Sequence, residues 1–315
     1  MVSLKDIRAA RNNIVKKIYR TPVLTKEFVN KQYGTNIILK LENLQVSGAF
    51  KIRGVLNKIA SLTTKERENG IICATSGNHG LGIAYVSYWN KLKSAIVVPE
   101  TTPEYKINKL KQLTKVIVTG ASFLESCSYA VENSISEHQT FIHPFADPLI
   151  IAGQGTIGLE LVEQVPNMDC VVVPIGGGGL LSGILISIKE MMPSVKIVGV
   201  QAEGAASMFV SWKEGVIRQL EKLNTIAEGI AVKKTEELNF SIIKKYVDNI
   251  VLVNDNDIKF AMKTLFDEYK MVGETAGVVS LAAILKDKIG LKCKNVVSLI
   301  SGGNIALNQF ATQLT

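Results

Sequence analysis

Cysteine and histidine are scarce in this chain of 315 residues, with four of the first and three of the second. Cys73, Cys127, Cys170 and Cys293 are far apart and form no CxxC pair. Three of them adjoin apolar stretches, in Ile71-Ile72-Cys73, in Cys170-Val171-Val172 and in Cys293 before Asn295-Val296-Val297. That is the setting of reduced, mostly buried thiols in a cytoplasmic protein, not of a disulfide framework. No GxSxG elbow is present, and Ser76 with His79 would place nucleophile and base on one tight turn, which counts against a hydrolase. His143, just before Pro144, reads as structural. The start, Met1-Val2-Ser3-Leu4-Lys5-Asp6, lacks the apolar core of a secretory signal. Internal repeats, low-complexity tracts and Pro/Ser linkers are missing as well, so a second domain must be joined by more than one chain crossing.

Charge of one sign is not concentrated anywhere. The formal charge of +8 comes from 36 basic and 28 acidic residues, mixed as in Lys65-Glu66-Arg67-Glu68 and Lys233-Lys234-Thr235-Glu236-Glu237. No basic run is interleaved with aromatics, so neither a nucleic acid nor a membrane surface is an expected partner, and the excess is left to steer small anions. One uncharged stretch, residues 170–188, is long enough to span a bilayer. Pro174 and the run Gly176 to Gly179 break it in the middle, which fits a buried strand, a glycine loop and a helix opening.

With 47% hydrophobic and 20% charged residues, the chain has the composition of a folded domain, and at about 150 residues per domain its length suggests two domains or one large one. Short β-branched runs alternate with segments of helical spacing, the pattern of an α/β fold with parallel-rich sheets and crossover helices. Strands are expected at Ile37–Lys40, Gly70–Ala74, Ser94–Val98, Val116–Val118, Phe141–Ile142, Cys170–Pro174, Lys196–Ala202, Asn249–Val253 and Asn295–Ile300. Helices are expected at Ser3–Ile18, Ala49–Ser61, Gly77–Trp89, Pro103–Gln112, Tyr129–His138, Ile150–Val165, Leu180–Met192, Asp255–Tyr269 and Ala276–Lys288. Such sheets bind ligands at the carboxyl ends of their strands.

Four stretches fall there: Ser47-Gly48-Ala49-Phe50-Lys51-Ile52-Arg53-Gly54, Thr75-Ser76-Gly77-Asn78-His79-Gly80, Gly176-Gly177-Gly178-Gly179-Leu180, and Ser301-Gly302-Gly303-Asn304. Four consecutive glycines between a strand and a helix let backbone N–H groups close on an anion, as a phosphate cradle does. Neither GxGxxG nor GxxxxGK[ST] spacing is satisfied, which weakens a dinucleotide or nucleoside triphosphate site. Taken alone the glycines also suit a packing turn, and Lys51 alone is an ordinary surface lysine. In company, Lys51 beside small residues suits amine chemistry with an aldehyde cofactor.

The four stretches, in this order and with these separations, resemble the fold-type II pyridoxal phosphate enzymes, in the branch of threonine/serine dehydratases and serine racemases. The resemblance runs over nearly the whole chain, including His143-Pro144-Phe145, Ile151-Ala152-Gly153-Gln154-Gly155-Thr156 and Thr225-Ile226-Ala227-Glu228-Gly229-Ile230-Ala231-Val232. It implies a tryptophan synthase β-like fold of two domains, a large cofactor-binding domain from residues 1–60 and 148–315 and a small substrate-closing domain from 61–147; the chain's own organisation also suggests a domain boundary near His143-Pro144. It also implies a homodimer.

Position by position, the resemblance makes Lys51 the residue that forms the imine with the cofactor aldehyde and Phe50 its ring-facing neighbour. Asn78 would bond the ring hydroxyl oxygen, Gly176, Gly177, Gly178 and Gly179, leading into Leu180, would hold the phosphate, and Ser301 would face the pyridine nitrogen. N–H groups of Ser76, Gly77, Asn78 and His79 would receive the substrate carboxylate at a helix opening. The freed Lys51 amine would then remove the α-proton while the conjugated cofactor disperses charge. A neutral hydroxyl at Ser301 does not hold the ring nitrogen protonated as a carboxylate would, which favours loss of a β-substituent over transamination. The expected reaction is deamination of L-threonine or L-serine to a 2-oxo acid and ammonia.

Ser76 resembles the serine that returns a proton on the opposite face in serine racemases, so serine racemisation, or dehydration or racemisation of 3-hydroxyaspartate, stays open. A non-catalytic amino-acid binder on the same scaffold and a nicotinamide dehydrogenase are the rivals of other classes. Leu81, Leu113-Thr114-Lys115 and the proline-free Glu274-Thr275-Ala276-Gly277 depart from the family's usual residues. The family's racemases carry a divalent-ion site on a carboxylate pair; Glu203 matches the first carboxylate and Phe209 falls at the second, so Mg²⁺ or another cation there would need Ser207, carbonyls and water to complete its shell. No regulatory domain is expected after Thr315.

Overall fold

The computed structural model describes residues 2–75 and 77–314. Its strands are β1 (Val23–Thr25), β2 (Asn36–Leu41), β3 (Ile71–Ala74), β4 (Ser94–Val98), β5 (Lys115–Val118), β6 (Thr140–Phe141), β7 (Cys170–Pro174), β8 (Lys196–Ala202), β9 (Asn249–Val253) and β10 (Asn295–Ile300). Helices α1 (Leu4–Ile14), α2 (Glu27–Tyr33), α3 (Lys51–Ala60), α4 (Thr64–Asn69), α5 (Asn78–Asn90), α6 (Glu104–Lys111) and α7 (Phe123–Ser136) make up the first half. The second half contains α8 (Pro148–Gln164), α9 (Gly179–Met191), α10 (Ser207–Glu214), α11 (Glu237–Tyr246), α12 (Asp255–Tyr269), α13 (Val279–Leu285) and α14 (Leu307–Leu314).

The strands form two sheets. One has the order β1-β2-β10-β7-β8-β9 and is parallel except for β1 against β2; the other, β5-β4-β3-β6, is parallel throughout. Parallel strands covered on both faces read as continuous apolar runs. So it is here: β3 and β7 are buried at every position. All strands of the four-stranded sheet lie between residues 71 and 141. Residues 170–188 resolve into β7, the glycine loop and α9, and among the described residues no helix is long and apolar enough to cross a membrane.

Helix α3 belongs to neither sheet alone. Ile52, Val55, Leu56 and Ile59 pack in one cluster with Ile71 and Cys73 of β3 and Ile96 of β4. On another side α3 crosses α8 so closely that a Cβ on Gly153 would lie 2.5 Å from the Gly54 Cα and 2.6 Å from the Arg53 carbonyl oxygen. Only glycines permit that approach.

Beneath this crossing lies a buried ionic cluster. Arg53 bonds Glu42 through Nε and Nη2 at 2.8 and 2.7 Å and Glu160 through Nη1 at 2.7 Å, while Lys40 reaches Glu160 at 2.6 Å and the Thr21 carbonyl at 2.8 Å. Arg53 and Glu42 are fully enclosed. Burial alone would neutralise Glu42, but the guanidinium beside it holds its carboxyl below the usual range. The cluster fixes α3, and with it the residue at its first turn, against β2 and α8.

Candidate active site

Lys51 is the first residue of α3. Its Nζ donates to the Pro144 carbonyl at 2.9 Å. The residue is only partly exposed, and its surroundings withdraw water from the ammonium and push the pKa down to about 8, with Glu274 opposing the shift in part.

The segment before α3 is zipped to the one after β10. Ala49 and Gly302 form an antiparallel bridge, the Phe50 N–H donates to the Ser301 carbonyl at 3.1 Å, and the Gly303 N–H donates to the Gly48 carbonyl at 2.9 Å. Gly48 adopts φ +75, and a Cβ there would collide with the Asn304 side chain at 2.6 Å. Two stretches far apart in sequence therefore form one floor, with Phe50 and the buried Ser301 adjacent.

Asn78, the first residue of α5, closes the next side. Its Oδ1 accepts from Asn304 Nδ2 at 2.9 Å, and its Nδ2 donates to Glu274 Oε1 at 2.5 Å. Asn304 also holds the Ser47 carbonyl at 2.7 Å, so one amide joins three of the four stretches. Burial raises the Glu274 carboxyl to about 7 despite the bond from Asn78.

At the opening of α5 the placements diverge. Gly77 is exposed, but its N–H is occupied by Thr75 Oγ1 at 3.2 Å. The His79 side chain turns inward, with Nε2 3.2 Å from the Ile142 carbonyl, and burial lowers its pKa to about 3, so the ring is neutral and only its backbone faces the helix opening. Ser76 lies outside the described residues.

The glycine loop joins β7 to α9. Gly178 takes φ +97 at the N-cap, and Cβ atoms on Gly177 and Gly179 would strike Phe145, at 2.4 Å from its ring and 2.6 Å from its carbonyl oxygen. Asn239 Nδ2 and Thr235 Oγ1 both hold the Gly177 carbonyl, at 2.7 and 3.2 Å. Across a trans peptide this turns the Gly178 N–H to the opposite side. First-turn N–H groups of α9, whose Leu180 is buried behind them, have no intrahelical acceptor, so the loop fits a phosphate dianion. Pro144 and Phe145 bring Lys51 and this loop together, since one accepts from the lysine and the other packs on the glycines.

Glu203 does not join this assembly. It is exposed on a 3-10 turn after β8, and its nearest cation is the Lys288 ammonium at 3.7 Å. Phe209 packs its ring on the core, and Ser207 Oγ is committed to the Val232 carbonyl at 2.7 Å. Among the described residues no three His, Cys, Asp or Glu side chains gather as metal ligands. The oxygen shell expected around Glu203 is therefore a correction: the residues do not fit a divalent ion, because an ammonium and a phenyl ring stand where oxygens are required.

Glu274, Asn304, Asn239, Thr235 and the Pro144 carbonyl were not singled out by the sequence as site residues. Asn304, Pro144 and Glu274 lie in stretches that the sequence sets apart, whereas Asn239 and Thr235 carry no such signal.

A family profile described as pyridoxal-phosphate dependent enzyme matches residues 14–302. The chain is 43% identical over 309 residues to an L-threonine ammonia-lyase of Thermotoga maritima, covering 98% of this chain and 77% of that one. A catabolic L-threonine dehydratase of Staphylococcus aureus is 40% identical over 314 residues, covering 98% and 91%. Among solved structures, maize serine racemase superposes with a TM-score of 0.95 at 31% identity, covering 99% of this chain and 97% of that one.

Proposed function

The chain belongs to the pyridoxal-phosphate dependent enzyme family, and from that premise we propose that it is an ammonia-lyase that converts L-threonine or L-serine to the 2-oxo acid and ammonia. The observation that carries this reading is the Lys51 amine, depressed to about 8 and joined through Pro144 and Phe145 to a glycine loop suited to phosphate. Pyridoxal 5'-phosphate, when bound, supplies an aldehyde for the amino group and a conjugated ring that takes up charge from the α-carbon.

In this reading Gly176, Gly177, Gly178 and Gly179, backed by Leu180, hold the phosphate through backbone N–H groups, and Asn239 and Thr235 fix their orientation. Asn78, itself aligned by Asn304 and Glu274, offers its amide to the ring hydroxyl. Phe50 lines the ring, and Ser301 gives the ring nitrogen a hydroxyl without a negative charge. The substrate carboxylate is received at the opening of α5 by Ser76, Gly77, Asn78 and His79 main-chain groups, once Gly77 releases Thr75. Lys51 Nζ takes the α-proton, for which an amine near neutral pKa is well matched. The β-hydroxyl then leaves as water, taking the proton that Lys51 carries, and the enamine so formed tautomerises to the imine, whose hydrolysis gives the 2-oxo acid and ammonia.

Residues 61–147 form the small domain that closes over substrate, and the protein acts as a homodimer in the cytoplasm. The contacts that such a closure would form are present at α6, where Lys106 pairs with Glu228 at 2.8 Å and the Tyr105 hydroxyl donates to Gln309 at 2.8 Å, both across to the larger sheet's half. Racemisation is the second reading, favoured by the likeness to maize serine racemase and by Ser76. Incubating the purified holoenzyme with L-threonine, L-serine and L-3-hydroxyaspartate, while measuring 2-oxo acid and D-enantiomer together, tests both. Excess 2-oxo acid from threonine or serine is expected; D-serine outpacing pyruvate would overturn the order.

A further inference from the structure

We infer that Lys288 supplies from within the chain the positive charge at Glu203, so that this protein holds the turn after β8 without a divalent cation. Three placements carry the inference. The Lys288 ammonium donates to Asp257 Oδ2 at 2.6 Å and lies 3.7 Å from Glu203 Oε1, bridging two carboxylates from separate elements. Asp257 is itself buried in the first turn of α12, where it completes a capping box with Asn254. Phe209 contributes a ring to the core, and its N–H donates to Gln201 Oε1 at 2.8 Å, which fastens that residue in its apolar setting.

The lysine is aimed, not loose. Asp287 takes φ +51, turning the chain back after α13, and the Lys288 N–H donates to the Ala283 carbonyl at 2.8 Å. A divalent ion on Glu203 would have to sit beside that ammonium, against like charge, with a single free carboxylate. An ammonium needs no coordination shell of hard oxygens; it satisfies two carboxylates by hydrogen bond and proximity.

The position matters because the turn reaches the site. A Cβ on Gly204 would lie 1.7 Å from the Asn224 carbonyl, and the Asn224 N–H donates back to the Gly204 carbonyl at 2.9 Å. Next along, Thr225 Oγ1 donates to Asp255 on α12 at 2.7 Å, and Thr275, beside Glu274, donates to the Ile226 carbonyl at 2.9 Å. Lys288 closes this ring by tying the turn to the same helix end that Asp255 occupies.

The test is thermal unfolding of the holoenzyme at constant ionic strength, with EDTA and with added MgCl₂ or CaCl₂. Wild type is expected to show one Tm in all three. Lys288→Met should lower it by about 2–4 °C, and Lys288→Arg should retain most of it. A wild-type Tm that falls on chelation or rises with Mg²⁺ or Ca²⁺, and a response that Glu203→Gln removes, would overturn the inference. So would a Lys288→Met protein with the wild-type Tm.

Discussion

Asn78 and Glu274 meet across 196 residues of sequence in a side-chain hydrogen bond of 2.5 Å. The carboxyl has its pKa raised to about 7 by burial, above the value of about 4.3 expected in the unfolded chain. Between those values the folded state binds the extra proton, so stability falls as pH rises through this window and the full cost is present above pH 7. That cost is on the order of 3 kcal/mol. Glu274→Gln keeps an oxygen for Asn78 and removes the titration. The apoprotein of this variant should unfold at a higher temperature than wild type at pH 8 and at nearly the same temperature at pH 4. Equal Tm values at pH 8 would contradict the assignment.

Strands β7, β8, β9 and β10 have the expected bounds because each is a short, mostly apolar run rich in β-branched residues with a sharp end. Strand β1 escapes notice as three residues without a run, and α2, α10, α11 and α14 are short. Helix α7 begins at Phe123, six residues before the expected Tyr129, on a cap in which Ser122 accepts from the Glu125 N–H, while α13 is shorter than expected and its first residues form a 3-10 turn. The four stretches were legible since each has its own local residue pattern at or near a strand end. Glu274, Asn239 and Lys288 were not, because their roles arise from partners distant in sequence.

Lys51 gives a prediction with two readouts. Lys51→Ala should abolish both the yellow colour of the holoenzyme and turnover; retention of full activity would defeat the assignment. In the apoprotein the same change should not destabilise. A lysine whose folded pKa is about 8, below its unfolded value near 10.4, costs stability at neutral pH, and that cost fades as pH rises from 8 toward 10.4. Relief should therefore be about 2 kcal/mol at pH 7, discounted for partial exposure, and small near pH 10. Urea unfolding at the two pH values measures it.

The Arg53 cluster predicts a loss of stability that lysine does not repair. Arg53→Met leaves Glu42 enclosed without its main partner, a change that costs about 3–5 kcal/mol in buried pairs. Arg53→Lys cannot reproduce the fork that spans Glu42 and Glu160, and should recover less than half of the loss. Urea midpoints of the three proteins decide the matter; a lysine variant as stable as wild type would show that charge alone suffices.

Gly178 separates cofactor retention from folding. Its φ of +97 is a conformation that alanine adopts poorly, and an added Cβ would meet Ile243 at 2.8 Å and Met208 at 3.1 Å, both flexible side-chain ends. Gly178→Ala should thus cost about 1–3 kcal/mol in apoprotein stability, small enough to leave a folded chain. The N–H groups around it face a heavier demand, because a phosphate requires them to converge, and any rotation of the 177–178 peptide also strains the bonds from Asn239 and Thr235 to the Gly177 carbonyl. Titration of the apoprotein with pyridoxal 5'-phosphate, followed by absorbance, should show affinity weakened at least tenfold while Lys51 still gives the yellow adduct at saturation. Unchanged affinity would remove the phosphate from this loop.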